Sequence, residues 1–255
     1  MSWKDERDNL HKVLETGTAK DKIDFVWTYY KWQISLLCFI ILFVAYLLSY
    51  SINSTDCQLT GVFLGSNGDP AAVAEIKDNL LADIPDAAPE EMFFDASLTY
   101  SSGSEEIDPS LSAEARQSIL IRAAAGDIDF LVGDVQTLAN YSYSCCFLDL
   151  TEILSEEEMV RFQPYFLYYD RSFLEQLSDM ELSDVDGQVL AFPAPGSPED
   201  MEEPVPVMLD VTEGLLASGL YRHSAMHYAI GFVVNGDNTQ NAILLADYLI
   251  ELSEG

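Results

Sequence analysis

Basic side chains are scarce in most of this chain. Of the 12 Lys and Arg in 255 residues, six (Lys4, Arg7, Lys12, Lys20, Lys22, Lys31) fall in the first 33, where six acids balance them. Residues 34–255 hold six basic groups against 37 acidic ones and carry the whole net charge of −31. A surface this negative repels phosphate backbones, so nucleic acid is excluded as an expected partner. It favours solubility and suits cationic ligands. Catalytic signatures are also missing. There is no GxSxG, no Walker A loop and no GxGxxG, so neither an enzyme nor a cofactor is expected. His223 and His227 form HxxxH, but the Glu of HExxH is lacking and HYAIGFVVN reads as strand, which breaks the helical alignment zinc would need. No CxxC occurs, and no metal site is expected. Repeats and low-complexity segments are absent as well.

One long apolar run stands out. Residues 34–50, ISLLCFIILFVAYLLSY, contain no charge, Pro or Gly. Starting from Trp32 the run approaches the roughly 20 residues that cross a bilayer core. Trp27, Tyr29, Tyr30 and Trp32 cluster at one end and Tyr46 and Tyr50 towards the other, as interfacial aromatics do. The expected organisation is a cytoplasmic tail (1–31), a transmembrane helix (32–50), a polar tether (51–56) and an extracytoplasmic domain (57–255). The six early cations against none until Lys77 put the N-terminus in the cytoplasm. The 33-residue polar leader favours an uncleaved signal anchor over a cleaved signal peptide. Four cysteines make no disulfide scaffold at this size. Cys38 lies within the span. Outside it, one bridge from Cys57 to Cys145 or Cys146 and free thiols are equal alternatives.

Beyond the tether, strand and helix patterns alternate. LTGVFLG (59–65) reads as a strand, and Asp69-Pro70 as N-cap and first residue of a helix carrying Val73, Ile76, Leu80, Leu81 and Ile84 on one face through about residue 84. EMFFDASLTY (91–100) alternates like a half-buried strand. Asp108-Pro109 starts a second helix that stops at Gly126. IDFLV (128–132) is a short buried strand, Asp134 caps a helix through VQTLANYSYSCC, and FLDL (147–150) is extended. Ser155 with Glu158, and Ser172 with Glu175, have capping-box spacing. VLAFPAP, PVPVMLDV and HYAIGFVVN are further strands, and a helix runs from Thr239 to about Leu252. This order predicts an α/β/α layered fold with a largely parallel sheet.

GDIDFLVGDVQT (126–137) places Asp127, Asp129 and Asp134 within eight positions. Residues two apart share a face of a strand, whereas Asp134 stands at its far end, which argues against a shared cation. In open α/β sheets ligands lie beyond the C-terminal strand ends. Two loops qualify: Ser66, Asn67, Gly68 and Asp69 after the first strand, and Gly133, Asp134 and Gln136 after the third. Small residues beside helix N-termini suit an anion or polar ligand; ordinary turn chemistry is the plainer alternative. Asp184-Val185-Asp186-Gly187 resembles a calcium loop, but Leu182 occupies the first-ligand position, so a turn is expected.

GDIDFLVGDVQTLANYSYSCCFLDLTEIL, DGQVLAFPAP (186–195) and YAIGFVVNGDNTQNAILLADYLIEL together resemble bacterial extracellular solute-binding proteins of ABC transporters. TYYKWQ before the span is similar to the start of uncharacterised Gram-positive membrane proteins. The resemblance covers most of residues 57–252 and implies a periplasmic-binding-protein-like lobe using loops at the strand-end edge. That family has two lobes with the ligand between them. Here only about 40 residues separate Leu150 from Val189 and about 35 separate Ala194 from Ala229, so a single lobe is expected. The functional expectation is a membrane-anchored extracytoplasmic binding module on the bacterial plasma membrane: a receptor, sensor or transporter accessory for a small polar solute. The alternative is a structural or protein-interaction subunit of a membrane complex that has lost small-ligand binding.

Overall fold

The computed structural model describes residues 18, 20, 27, 30–44, 57–84, 87–97, 109–142, 146–179 and 192–254. The chain divides into two compact units, Met1–Thr55 and Asp56–Gly255. In the first, residues 30–44 are helical, and its large apolar side chains from Trp32 to Val44 are exposed. Among the described residues, no helix is long and apolar enough to cross a membrane. Residues 45–50 of the expected span, the tether 51–56 and residues 1–17 lie outside the described residues.

The second unit is an α/β fold around one six-stranded mixed sheet. Its strands are β1 (Leu59–Phe63), β2 (Met92–Asp95), β3 (Phe130–Asp134), β4 (Phe166–Asp170), β5 (Pro204–Asp210) and β6 (Tyr228–Phe232), in the order β2-β1-β3-β6-β5-β4. The helices are α1 (Pro70–Leu80), α2 (Pro109–Ala125), α3 (Val135–Ser142), α4 (Leu150–Ile153), α5 (Glu156–Phe162), α6 (Arg171–Asp179), α7 (Thr212–Ala217) and α8 (Thr239–Glu254).

Local chemistry sets most helix ends. The Asp69 side chain accepts from the Ala71 N–H at 3.0 Å, and Pro70, which has no N–H to lose, opens α1. Ala72, Ile76 and Leu80, four residues apart, are the buried stripe of that helix. Gly126 closes α2 with φ +80°, and the Asp127 N–H returns to the Arg122 carbonyl at 2.9 Å. Ser155 and Glu158 cap α5 reciprocally. The Ser172–Glu175 pair is different: α6 begins at Arg171, and Asp170 caps it by accepting from the Ser172 N–H and hydroxyl. A carboxylate two residues earlier takes the N-cap position in place of the serine.

Strand residues alternate between two cores. Leu59, Phe63, Met92, Phe94, Phe130, Val132, Ile230 and Phe232 face one, covered by α1, α7 and α8. Val62, Leu64, Leu131, Ala229 and Val233 face the other, under α2 and α3. On the first face Phe63, Phe94 and Phe130 meet edge-on, each pair of centroids 5.6 Å apart. A Cβ on Gly61 would lie 2.1 Å from the Phe130 ring, so glycine makes that packing fit. Gly214 of α7 has the same role against α8, where a Cβ would stand 1.8 Å from the Leu249 carbonyl oxygen.

The sheet departs from the largely parallel expectation. β1 pairs parallel with β2 and β3, but β3–β6, β5–β6 and β4–β5 are antiparallel. Strand–helix alternation does not say whether a helix carries the chain back along the sheet or only across its end, and α6 and α7 do the latter. The register of β4 on β5 passes from Leu167↔Met208 to Tyr168↔Pro206, which leaves Val207 as an extra residue. This bulge puts Val207 and Met208 in the same core. Pro204 and Pro206 offer no N–H, and β5 pairs with β6 only through Leu209 and Asp210. FLDL is not uniformly extended: Phe147 bridges to Val233, and Asp149 caps the one-turn helix α4. Of VLAFPAP, Val189 to Ala191 lie outside the described residues and 192–195 form no strand.

Candidate functional site

Because β1, β2 and β3 run parallel, their C-terminal ends share one edge of the sheet. The structure brings the two expected loops together there. Gly133 lies so close to β1 that a Cβ on it would be 3.1 Å from the Leu64 Cβ. The polar groups of these loops are hydrogen-bonded within the chain. The Ser66 hydroxyl donates to the Ala96 carbonyl at 2.9 Å and accepts from the Gly68 N–H at 3.4 Å. Gly68 holds φ +66° in this turn. The Asn67 amide donates to the Gly219 carbonyl at 2.8 Å, while its oxygen accepts from the Asp69 N–H at 3.0 Å. Asp134 ends β3 and caps α3, accepting from the Thr137 N–H at 3.0 Å and from the Thr137 hydroxyl. Gln136 donates to the Phe192 carbonyl at 2.9 Å.

A residue that the sequence did not single out occupies the crevice between the loops. Tyr221, 2 % exposed, donates from its hydroxyl to the Leu64 carbonyl at 2.9 Å and lies 3.4 Å from the Val132 carbonyl. Its ring lies 4.4 Å from that of Tyr228. Burial, then the neighbouring Tyr228 and Asp134, pushes the Tyr221 hydroxyl well above its ordinary range, so it stays protonated and donates. The segment from α7 to β6 that carries Tyr221 also accepts the Asn67 N–H on the Leu220 carbonyl at 3.1 Å. Nothing local in YRHSAMHY marks this role, because the partners of Tyr221 are 157 and 89 residues away.

Asp127, Asp129 and Asp134 do not cooperate. Asp129 sits at the opposite end of β3, 2 % exposed. Its carboxylate accepts from the N–H groups of Thr60 at 2.7 Å and Asn238 at 2.8 Å, and lies 3.4 Å from the Asn238 side-chain amide. Hydrogen bonds to a charged group contribute roughly 1.5–3 kcal/mol each, so this acid ties β1 and the start of α8 to β3. Among the described residues no group of three or more His, Cys, Asp or Glu could hold a metal ion. His223 and His227 lie in the irregular segment before β6; His227 is exposed, 3.6 Å from Asp210. Asp184 to Gly187 lie outside the described residues. No bond joins Cys57, which is exposed, to Cys146, which is buried; Cys145 lies outside the described residues.

A recess of about 220 Å³ opens at the other edge, near the start of β5. Val205 and Val207 of β5, Leu174 of α6 and Phe147 supply its apolar lining. It lies beside the proline-bearing half of β5 that has no ladder to β6. Ser142 and Tyr169 line it with hydroxyls 3.2 Å apart, and Tyr169 donates to the Pro193 carbonyl at 3.0 Å. Burial pushes the Tyr169 hydroxyl up to about 12. Compared with protein-family models, with curated proteins and with solved structures, the chain matches none.

Proposed function

We propose that residues 57–254 form the extracytoplasmic lobe of a membrane-anchored interaction module, a single-lobed relative of the bacterial solute-binding proteins that the sequence resembles. The parallel β2-β1-β3 wing with covered faces supports the lobe. The anchor is supported by the uncharged run after Trp32 and by exposed apolar side chains along residues 32–44. One observation carries the interaction role: Tyr221 is buried at the strand ends, and its hydroxyl donates to the Leu64 carbonyl there. A solute would have to displace a buried tyrosine and take over its hydrogen bond to the Leu64 carbonyl, whose loss costs roughly 1–3 kcal/mol. The test has two arms. A panel of sugars, amino acids and inorganic anions is expected to leave the Tm of the purified full chain unchanged. A photocrosslinker at exposed Ser224 is expected to capture a membrane protein in the producing cells. A solute that raises the Tm and perturbs Asn67 or Asp134, with no adduct at Ser224, would sink this reading.

A second reading, a receptor for a small ligand, is favoured by the recess beside Tyr169. It needs no second lobe, because α3, α4, α6 and β5 already surround the space.

A further inference from the structure

The charged residues around the recess of Tyr169 are strongly unequal. Asp149 and Glu152 of the α4 turn stand on its wall with Arg171, the one cation among its lining residues. Arg171 is already engaged: its guanidinium pairs with Glu203, and Asp149 and Glu175 add to the field it experiences. One guanidinium thus stands against Glu203, Asp149 and Glu175, Glu152 adds a further carboxylate to the lining, and the chain carries −31 overall. Such a field concentrates cations and disfavours anions at the opening. Behind the charged groups the walls are apolar, formed by Val205, Val207, Leu174 and Phe147. The two hydroxyls in the lining are hydrogen-bonded to each other, and Tyr169 also to the chain. At about 220 Å³ the space is below the usual range for drug-sized ligands.

The recess has a structural origin that is not a packing accident elsewhere in the core. Pro204 and Pro206 cannot donate to a neighbour, β5 is unpaired with β6 before Leu209, and Phe147 reaches over Gly231. A Cβ on Gly231 would fall 2.5 Å from the Phe147 ring, so glycine there lets the aromatic wall stand where it does.

We propose that this recess binds a small organic cation, a primary ammonium on a short apolar body, with the body against Val205, Val207 and Leu174 and the charge towards Asp149 and Glu152. The proposal rests on the receptor reading and adds the ligand class to it. The probes are phenethylamine, its neutral analogue 2-phenylethanol and the anion 3-phenylpropionate, titrated calorimetrically into the full chain in detergent micelles. Phenethylamine is expected to bind about tenfold more tightly than the alcohol, to lose affinity with added salt, and to bind better than the anion by a wider margin. Glu152→Gln, at an exposed position, is expected to weaken the amine about fivefold and leave the alcohol unchanged. Leu174→Phe, which fills the recess, is expected to weaken amine and alcohol together. Equal affinity for amine and alcohol, or an amine affinity indifferent to Glu152→Gln, overturns the cation proposal while the receptor reading stands. Failure of all three probes to bind overturns both.

Discussion

Asp170 shows how a partly exposed residue can matter through its hydrogen bonds alone. Its carboxylate accepts from the Ser172 hydroxyl at 2.7 Å, the Ser172 N–H at 3.0 Å and the Glu202 N–H at 2.7 Å, with the Glu203 N–H at 3.4 Å. These donors, the Ser172 hydroxyl first, pull the carboxyl down to about 2 from its ordinary 3.8. The folded state therefore favours the ionised form. The contribution is complete above the unfolded value and is lost as pH falls from about 4 through about 2. A carboxyl-detected NMR titration is expected to place Asp170 near that lower value. Asp170→Asn is expected to remove this part of the acid sensitivity; an unchanged slope of stability against pH would contradict it. Capping by Asp170 was not read from the sequence, because Ser172 and Glu175 offer the standard spacing starting two residues later. Asp134 was legible as a cap, since it stands between a short apolar run and the start of a helix.

At the scale of elements, the packing of α7 on α8 depends on one missing side chain. Gly214 meets the Leu249 backbone, where a methyl group would fall 1.8 Å from the carbonyl oxygen and 2.7 Å from the carbonyl carbon. Backbone inside a helix cannot turn aside as a side chain can. Gly214→Ala is expected to destabilise the chain by about 3 kcal/mol, read as a lower urea midpoint, in spite of alanine's better helix propensity. A neutral or stabilising result would mean that the two helices part without cost. The helices with internal caps (α1, α2, α5) were readable because their start and stop signals lie within a turn of their ends. The short elements β4 and α7 were not. FLYYD has no alternation and follows a proline turn, and TEGLLA contains a glycine whose value lies only in its neighbour.

At the scale of the molecule, the second half of the chain adds its strands to the same sheet as the first. Residues 150–232 supply α4 to α7 and β4 to β6, and all three of these strands join β1 to β3. The proposed topology is tested at Cys57, which precedes β1 and is exposed. In intact cells a membrane-impermeant maleimide is expected to label Cys57, with Cys38→Ser as background. Protection of Cys57, when it is shown to be reduced and reacts after permeabilisation, would reverse the orientation.

The sequence by itself determined what depends on near neighbours: the caps at Asp69, Asp134 and Ser155, the stop at Gly126, the alternation that gives each strand two apolar faces, and the asymmetry of charge on either side of the apolar run. These signals act over a few residues, so period and spacing disclose them. The tertiary structure decided which strands pair and in which direction, and what stands at the strand ends. Asp129 is satisfied by Asn238, 109 residues away, and the crevice is closed by Tyr221 from 157 residues beyond Leu64. No local pattern encodes a partner at that distance. It is fixed when the buried faces of β1, β3 and β6 are brought together and their remaining polar groups must be satisfied from whatever segment the fold places over them.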